Sequence, residues 1–246
     1  MKDASPNTIE VCFTQTSFSY IKTQQPFVVV VVDILRATSA MCSAFANGLK
    51  TIIPVATLEE ARSLKEQGYL VAAEREGSIL SFADYGNSPL EYQKADIKGK
   101  TLVYCTTNGT QAVKLAEKAS GLVLGAYVNL DVLTDWLTQN QQNVVILCSG
   151  WKNQFSLEDA VFAGALTENL SSKGKFTYNS DSAEASLDLW KIARQDLLFY
   201  HEKASHRHRL KRIGQDASIP FCFCLNACKV VPGLREGVLV DFLSEE

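Results

Sequence analysis

The sequence predicts an α/β protein, a three-layer α/β/α arrangement on largely parallel sheets with two related halves. Three observations predict it. Phe27 to Val32 is an unbroken, valine-dominated run, as expected of a strand buried on both faces of a parallel sheet. Similar runs at Leu102 to Cys105 and Val144 to Cys148 each stop at a polar turn and lead into a helical stretch. Two blocks also repeat at an offset of 71 residues, which aligns Val32 with Val103, Ser39 with Thr110 and Val55 with Ala126.

Element by element, Ile9 to Phe13 reads as the first strand and Phe27 to Val32 as the second. The next helix spans Ser39 to Ala46 and closes at Asn47-Gly48, a C-cap signal. Thr51 to Val55 is a strand. Thr57 N-caps the following helix, with Glu60 at the capping-box position and Gly68 as the stop. Leu70 to Ala73 is a short strand, and Phe82 to Pro89 is rich in turn residues. Leu102 to Cys105, a helix from Thr110 to Lys118, Leu122 to Ala126 and a helix capped by Asn129 through Leu137 repeat the first block. Val144 to Cys148 opens a second half. Ser156 N-caps a helix from Leu157 to Asn169, and Ser182 to Phe199 is helical. Ile219 to Leu225, Lys229 to Val231 and Leu239 to Leu243 read as short strands. The expected halves are 1–140 and 141–246, with one compact unit as the alternative.

Composition narrows the function classes. The 246 residues are 46% hydrophobic and 21% charged, with 14 Gly and 6 Pro, which is globular rather than disordered. A net charge of −3 speaks against a general nucleic-acid or anionic-membrane binder. No apolar run approaches the roughly 20 residues of a membrane helix. The polar start, Met1 to Pro6, has no signal-peptide core behind it, so a cytoplasmic location is expected. The 7 cysteines are odd in number and several sit in apolar runs, so they read as buried reduced thiols. Cys222, Cys224 and Cys228 lack zinc-site spacing. His201, His206 and His208 are the only histidines, and neither G-x-S-x-G nor H-E-x-x-H occurs. No P-loop is present. Leu35 breaks a D-x-D motif after Asp33, and Gln111 and Gln154 stand where a C-x5-R phosphatase loop needs arginine.

Ligands of open α/β sheets bind beyond the carboxyl ends of the strands. Three such ends carry polar turns ahead of helices: Asp33 to Ser39, Thr106 to Thr110, and Cys148-Ser149-Gly150 followed by Ser156 to Asp159. Free N–H groups at a helix start attract phosphate, and Arg36 can add a bidentate clamp. Singly, each turn is explained by helix capping; three together point to an anion cradle. Asp33 ends an apolar strand and needs a cationic partner, Arg36 or a metal. Glu158 and Asp159 sit in a first helical turn, and Glu74 and Asp84 in an irregular block. Hard oxygen ligands beside a phosphate cradle suit Mg²⁺. Lys203 to Arg212 is basic, and reads either as a phosphate- or partner-binding stretch or as a solvated face.

These motifs resemble the 2-phosphosulfolactate phosphatase (ComB) family. The resemblance is carried by Val31 to Ser39, Glu74-Arg75, Asp84-Tyr85-Gly86-Asn87-Ser88-Pro89, Thr106 to Thr110, Cys148-Ser149-Gly150 and Phe155 to Asp159. Ser205-His206 and Val231-Pro232 match more loosely. Together these segments run along nearly the whole chain in order. Ala73 replaces the family's glycine before Glu-Arg, and Cys105 the first of its three threonines. The resemblance implies Mg²⁺-dependent hydrolysis of (2R)-phosphosulfolactate to (2R)-sulfolactate and phosphate, a step of coenzyme M biosynthesis in methanogens. It implies Asp33, Arg36 and Asp159 as catalytic residues, and Asp33, Glu158 and Asp159 as the carboxylates for Mg²⁺ or water activation. Arg36, Ser39, Thr107, Asn108, Gly109 and Thr110 would hold phosphate oxygens, with Thr106, Ser149 and Gly150 as further substrate-binding positions. Arg75, Asn87 and Ser88 would take the sulfonate or carboxylate end. Another phosphorylated hydroxy acid as substrate and a non-catalytic anion-binding protein are the competing readings. A homo-oligomer is compatible with the sequence; no nucleic-acid or membrane partner is expected.

Overall fold

The structure is a computed structural model and describes residues 6–21, 25–75, 77–106, 109–116 and 119–244. Its strands are β1 (Asn7–Cys12), β2 (Phe27–Val32), β3 (Thr51–Pro54), β4 (Leu70–Arg75), β5 (Ser78–Ile79), β6 (Thr101–Cys105), β7 (Gly121–Gly125), β8 (Asn143–Cys148), β9 (Phe176–Tyr178), β10 (Pro232–Arg235) and β11 (Val238–Asp241). They form one sheet in the order β5-β4-β6-β3-β11-β10-β7-β2-β8-β1-β9. Two parallel blocks lie within it, β4-β6-β3 and β7-β2-β8-β1-β9. The antiparallel hairpin β10–β11 joins them through one residue pair on each side, Gly233 with Val123 and Leu239 with Ile52. Three successive antiparallel junctions give the two blocks opposed polarity.

Val28 to Val32 are all buried, as a strand covered on both faces requires. The repeated blocks appear as β2, helix Ala37–Ala46, β3, helix Leu58–Glu66, and then β6, helix Gly109–Ala116, β7, helix Leu130–Asn140. Each block contributes one strand to each parallel block, since β2 pairs with β7 and β3 with β6. Strands from either side of residue 140 are neighbours in the sheet: β8 lies between β2 and β1.

Helix Ala37–Ala46 is buried almost all round by small residues, including Ala37, Ser39, Ala40 and Ser43. Helix Leu157–Ser172 packs closely on helix Asp181–Ala193. A Cβ at Gly164 would stand 2.0 Å from the Ser186 carbonyl oxygen, so only glycine permits this approach. A small second core of Val55, Ala61, Val71, Ala73, Val103 and Cys105 lies beneath helix Leu58–Glu66. All 7 cysteines are unpaired, and Cys224 alone among them is exposed. No helix among the described residues is long and apolar enough to cross a membrane.

Several elements differ from expectation. Ile219 to Leu225 is not a strand: Ile219–Cys222 is a helical turn with Pro220 in its first turn, where proline's missing N–H costs nothing. The strand expected at Lys229 to Val231 begins later, at Pro232. The helix expected over Ser182 to Phe199 breaks after Ala193. Asp196 N-caps a new short helix there by accepting from the Phe199 amide. Strands β5 and β9 and the short helix Gln15–Phe18 carried no clear sequence signal.

Candidate active site

One pocket of about 260 Å³ opens where the strand ends of the two parallel blocks meet. From the first block come Glu74, Asn87 and Thr106; from the second come Asp33, Arg36 and Trp151. Helix Ser205–Arg212 adds His206, Arg209 and Arg212 to the lining.

The floor is built by the turn after β2. Asp33 is 8% exposed. Its Oδ1 accepts from the Ala37 amide, so the carboxylate itself caps helix Ala37–Ala46. Thr38 completes the turn: the Asp33 amide donates to Thr38 Oγ1, which donates to the Asp33 carbonyl. Burial pushes Asp33 up to about 7. Glu74 and Glu158 add to the rise, while the Ala37 amide and Arg36 oppose it.

Arg36 is buried and held by neutral acceptors. Its Nη1 donates to Gln215 Oε1 at 3.1 Å, and its Nη2 to the Gly77 carbonyl at 3.3 Å. No ion pair to Arg36 is found among the described residues, so its charge is available to an anion. Gly77 is fixed in turn, its amide donating to Glu74 Oε2 at 2.6 Å. The Tyr104 hydroxyl donates to Asn87 Oδ1, which sets the orientation of that amide in the pocket.

Asp159 ties two strand ends together. Its Oδ1 accepts from the Ile34 amide at 2.9 Å and its Oδ2 from the Gly150 amide at 3.2 Å. Burial, then Glu158 and Asp33, hold it well above the usual carboxylate range. Burial likewise raises Glu158, whose Oε1 lies 3.6 Å from His206 Nδ1. Burial, Arg209 and Arg36 lower His206 to about 3. The imidazole is therefore neutral, and the contact is not a formed ion pair.

The other expected site residues are distributed as follows. Ser39 is committed to its own turn, donating to the Ile34 carbonyl at 2.9 Å. Ser149 is fully buried, and its hydroxyl has no partner among the described residues. Ser88 precedes helix Pro89–Tyr92 without lining the pocket. Asp84 pairs with Lys65 at 2.5 Å. Arg75 faces away. Strand alternation puts Glu74 on the pocket side and Arg75 on the other, near Cys105 of the second core. Gly109 and Thr110 begin a helix, while Thr107 and Asn108 lie outside the described residues.

Trp151, His206, Arg209 and Arg212 line the pocket but were given no individual site role from the sequence. The basic run Lys203 to Arg212, with its phosphate-binding reading, and the loose Ser205-His206 match were the signals for three of them, and spacing alone could not say which face the run presented.

The carboxylates suit a hard divalent cation in kind: all three are buried, Glu158 raises both Asp33 and Asp159, and Asp33 raises Asp159, so a cation there would relieve gathered negative charge. Among the described residues no group of three or more His, Cys, Asp or Glu stands close enough to hold an ion. A Mg²⁺ site here would thus take one or two carboxylates, with water and substrate oxygens completing the octahedron, as this ion commonly does.

Buried carboxylates beside a fixed arginine at the strand ends of an α/β sheet suit an enzyme that handles a phosphoryl group. The chain belongs to the 2-phosphosulpholactate phosphatase family, whose model matches residues 12–237, and with that family it is a phosphatase. It is 36% identical to a protein of Caldanaerobacter subterraneus over 86% of this chain and 89% of the relative. It is 38% identical to one of Carboxydothermus hydrogenoformans (89% and 92%) and 35% identical to one of Thermotoga maritima (86% and 90%). Each relative is named "Probable 2-phosphosulfolactate phosphatase".

Proposed function

We propose that the chain hydrolyses (2R)-phosphosulfolactate to (2R)-sulfolactate and phosphate in a Mg²⁺-dependent reaction. The observation that carries this reading is the apposition of Asp33 and Arg36 on the floor of one small pocket. Its 260 Å³ falls below the roughly 300–1,000 Å³ of sites for drug-sized ligands. That suits a three-carbon acid better than a nucleotide.

In this reading Arg36 takes two phosphoryl oxygens through its guanidinium fork, and Thr106 and Asn87 offer hydrogen bonds to the same group. Asp33 titrates near neutrality and is placed to accept the proton of the attacking water. Water adds to phosphorus, the bond from phosphorus to the C2 oxygen breaks, and the departing oxygen takes up a proton. Asp33, with no more than one of its carboxylate neighbours, would hold Mg²⁺, water and substrate oxygens completing the shell. The ion would neutralise phosphoryl charge and lower the pKa of a bound water. Asp159 meanwhile holds the Ile34 and Gly150 turns in register.

Phosphate release from racemic phosphosulfolactate, beside other small phosphoesters, with Mg²⁺ and with EDTA, tests this reading. Fast, EDTA-sensitive release favouring phosphosulfolactate is expected. Better turnover of another ester discards the substrate, and release unaffected by EDTA discards the metal.

A further inference from the structure

We propose that Arg209 and Arg212 form a second anion subsite that reads the sulfonate of the substrate, while Arg36 holds the phosphoryl group. The inference rests on the substrate reading above and deepens it by assigning selectivity to helix Ser205–Arg212.

The two ends of the pocket are differently furnished. Arg36 lies on the floor beside Asp33, and its two Nη atoms are already steered by the Gln215 and Gly77 carbonyls. Arg209 is held by helix Ser205–Arg212 instead, its guanidinium 3.9 Å from the centroid of the Trp151 ring. Its Nη1 donates to Ser205 Oγ at 3.5 Å. Stacking fixes the plane of the fork and leaves its edges for a ligand. Arg212 is exposed on the same helix. Among the described residues neither Arg209 nor Arg212 has an ion pair. Burial and the nearby Arg212 pull the Arg209 pKa down, with Glu158 opposing. Glu158 offsets that cost only in part, so the two neighbouring cations are stabilised by an incoming anion. Both sit in the last turn of their helix, where the macrodipole tolerates positive side chains.

The substrate supplies the matching chemistry. It carries a phosphate, a carboxylate and a sulfonate, and the pocket already holds Asp33 and Glu74. A single arginine cannot offset that charge. The sulfonate is ionised at all physiological pH and presents oxygens to a guanidinium fork as phosphate does. Arg75, the other cation in a motif of this region, lies on the far face of β4 and cannot serve.

The test compares kcat/KM for 2-phosphosulfolactate and 2-phospholactate, which lacks the sulfonate, in the wild type, R209Q, R212Q and the double variant. The wild type prefers phosphosulfolactate. Each single variant reduces that preference about tenfold or more, through KM rather than kcat, and the double variant abolishes it. Calorimetry of sulfolactate against lactate shows the same loss as weakened binding. R212Q, at an exposed position, keeps the test valid should R209Q fold poorly. Equal losses on both substrates, or an unchanged preference, overturn the subsite. A wild type without preference for phosphosulfolactate overturns the substrate reading as well, and is told apart because it needs no variant.

Discussion

The two walls of the pocket are fixed in different ways. The strand-end wall is determined largely by backbone contacts: Asp33 caps a helix, Arg36 is gripped by the Gly77 carbonyl and the Gln215 side chain, and Asp159 staples two turns by accepting two amides. The wall from helix Ser205–Arg212 is side-chain-determined, resting on a stacked Arg209 and an exposed Arg212. Rigid placement belongs where bonds change, because small misplacements there are costly in rate. A wall that only recognises charge can be looser, since ionic attraction falls off gently with distance.

Breaking the rigid wall has the largest expected effect. R36K keeps the charge and loses the fork, and kcat/KM should fall by about 10²–10³-fold. The contrast with R212Q, whose loss concerns selectivity, is the sharpest test of the difference between the walls.

The support behind the looser wall should show in stability. His201 is fully buried just ahead of helix Ser205–Arg212, with Nδ1 against the Leu197 carbonyl at 2.7 Å and its ring 4.4 Å from Phe223. Burial lowers its pKa from 6.5 to about 4. The unfolded chain therefore binds the proton more readily, and stability is lost as pH falls from 6.5 towards 4. The full loss amounts to about 3 kcal/mol. Urea denaturation across that window should show this slope in the wild type and a flatter one in H201F.

Beneath the rigid wall, G164A forces a Cβ against the Ser186 carbonyl and should cost about 1–3 kcal/mol, read as a lowered Tm. Smaller still, Q215A removes one neutral acceptor from Arg36 while the Gln215 carbonyl remains at 3.5 Å. One hydrogen bond to a charged group is worth about 1.5 kcal/mol, so kcat/KM should fall about tenfold. An unchanged Q215A would show that Arg36 is held by its own turn alone.

The same division explains what could be read from sequence. The rigid wall is local: valine runs mark its strands, and Asp33, Arg36 and Thr38 lie within six residues of one another. Glu158 and Asp159 also stood out, because acidic residues at a helix start carry a local signal. The second wall depends on which way a short basic helix faces after a broken helix and a turn, and periodicity over eight residues does not fix that. Pairing of β2 with β7 rather than β3 is similarly a long-range choice. Ser39 was legible as a polar residue at a strand end, yet its hydroxyl serves the turn. Arg75 was legible as part of a motif, but strand alternation turned it away from Glu74.

The most direct measurement is phosphate release from phosphosulfolactate by the wild type and D33N side by side, with matched circular dichroism and matched binding of sulfolactate. The account predicts turnover by the wild type and a loss of at least about 10³-fold in D33N with its fold retained. A folded D33N with near-normal kcat would contradict it.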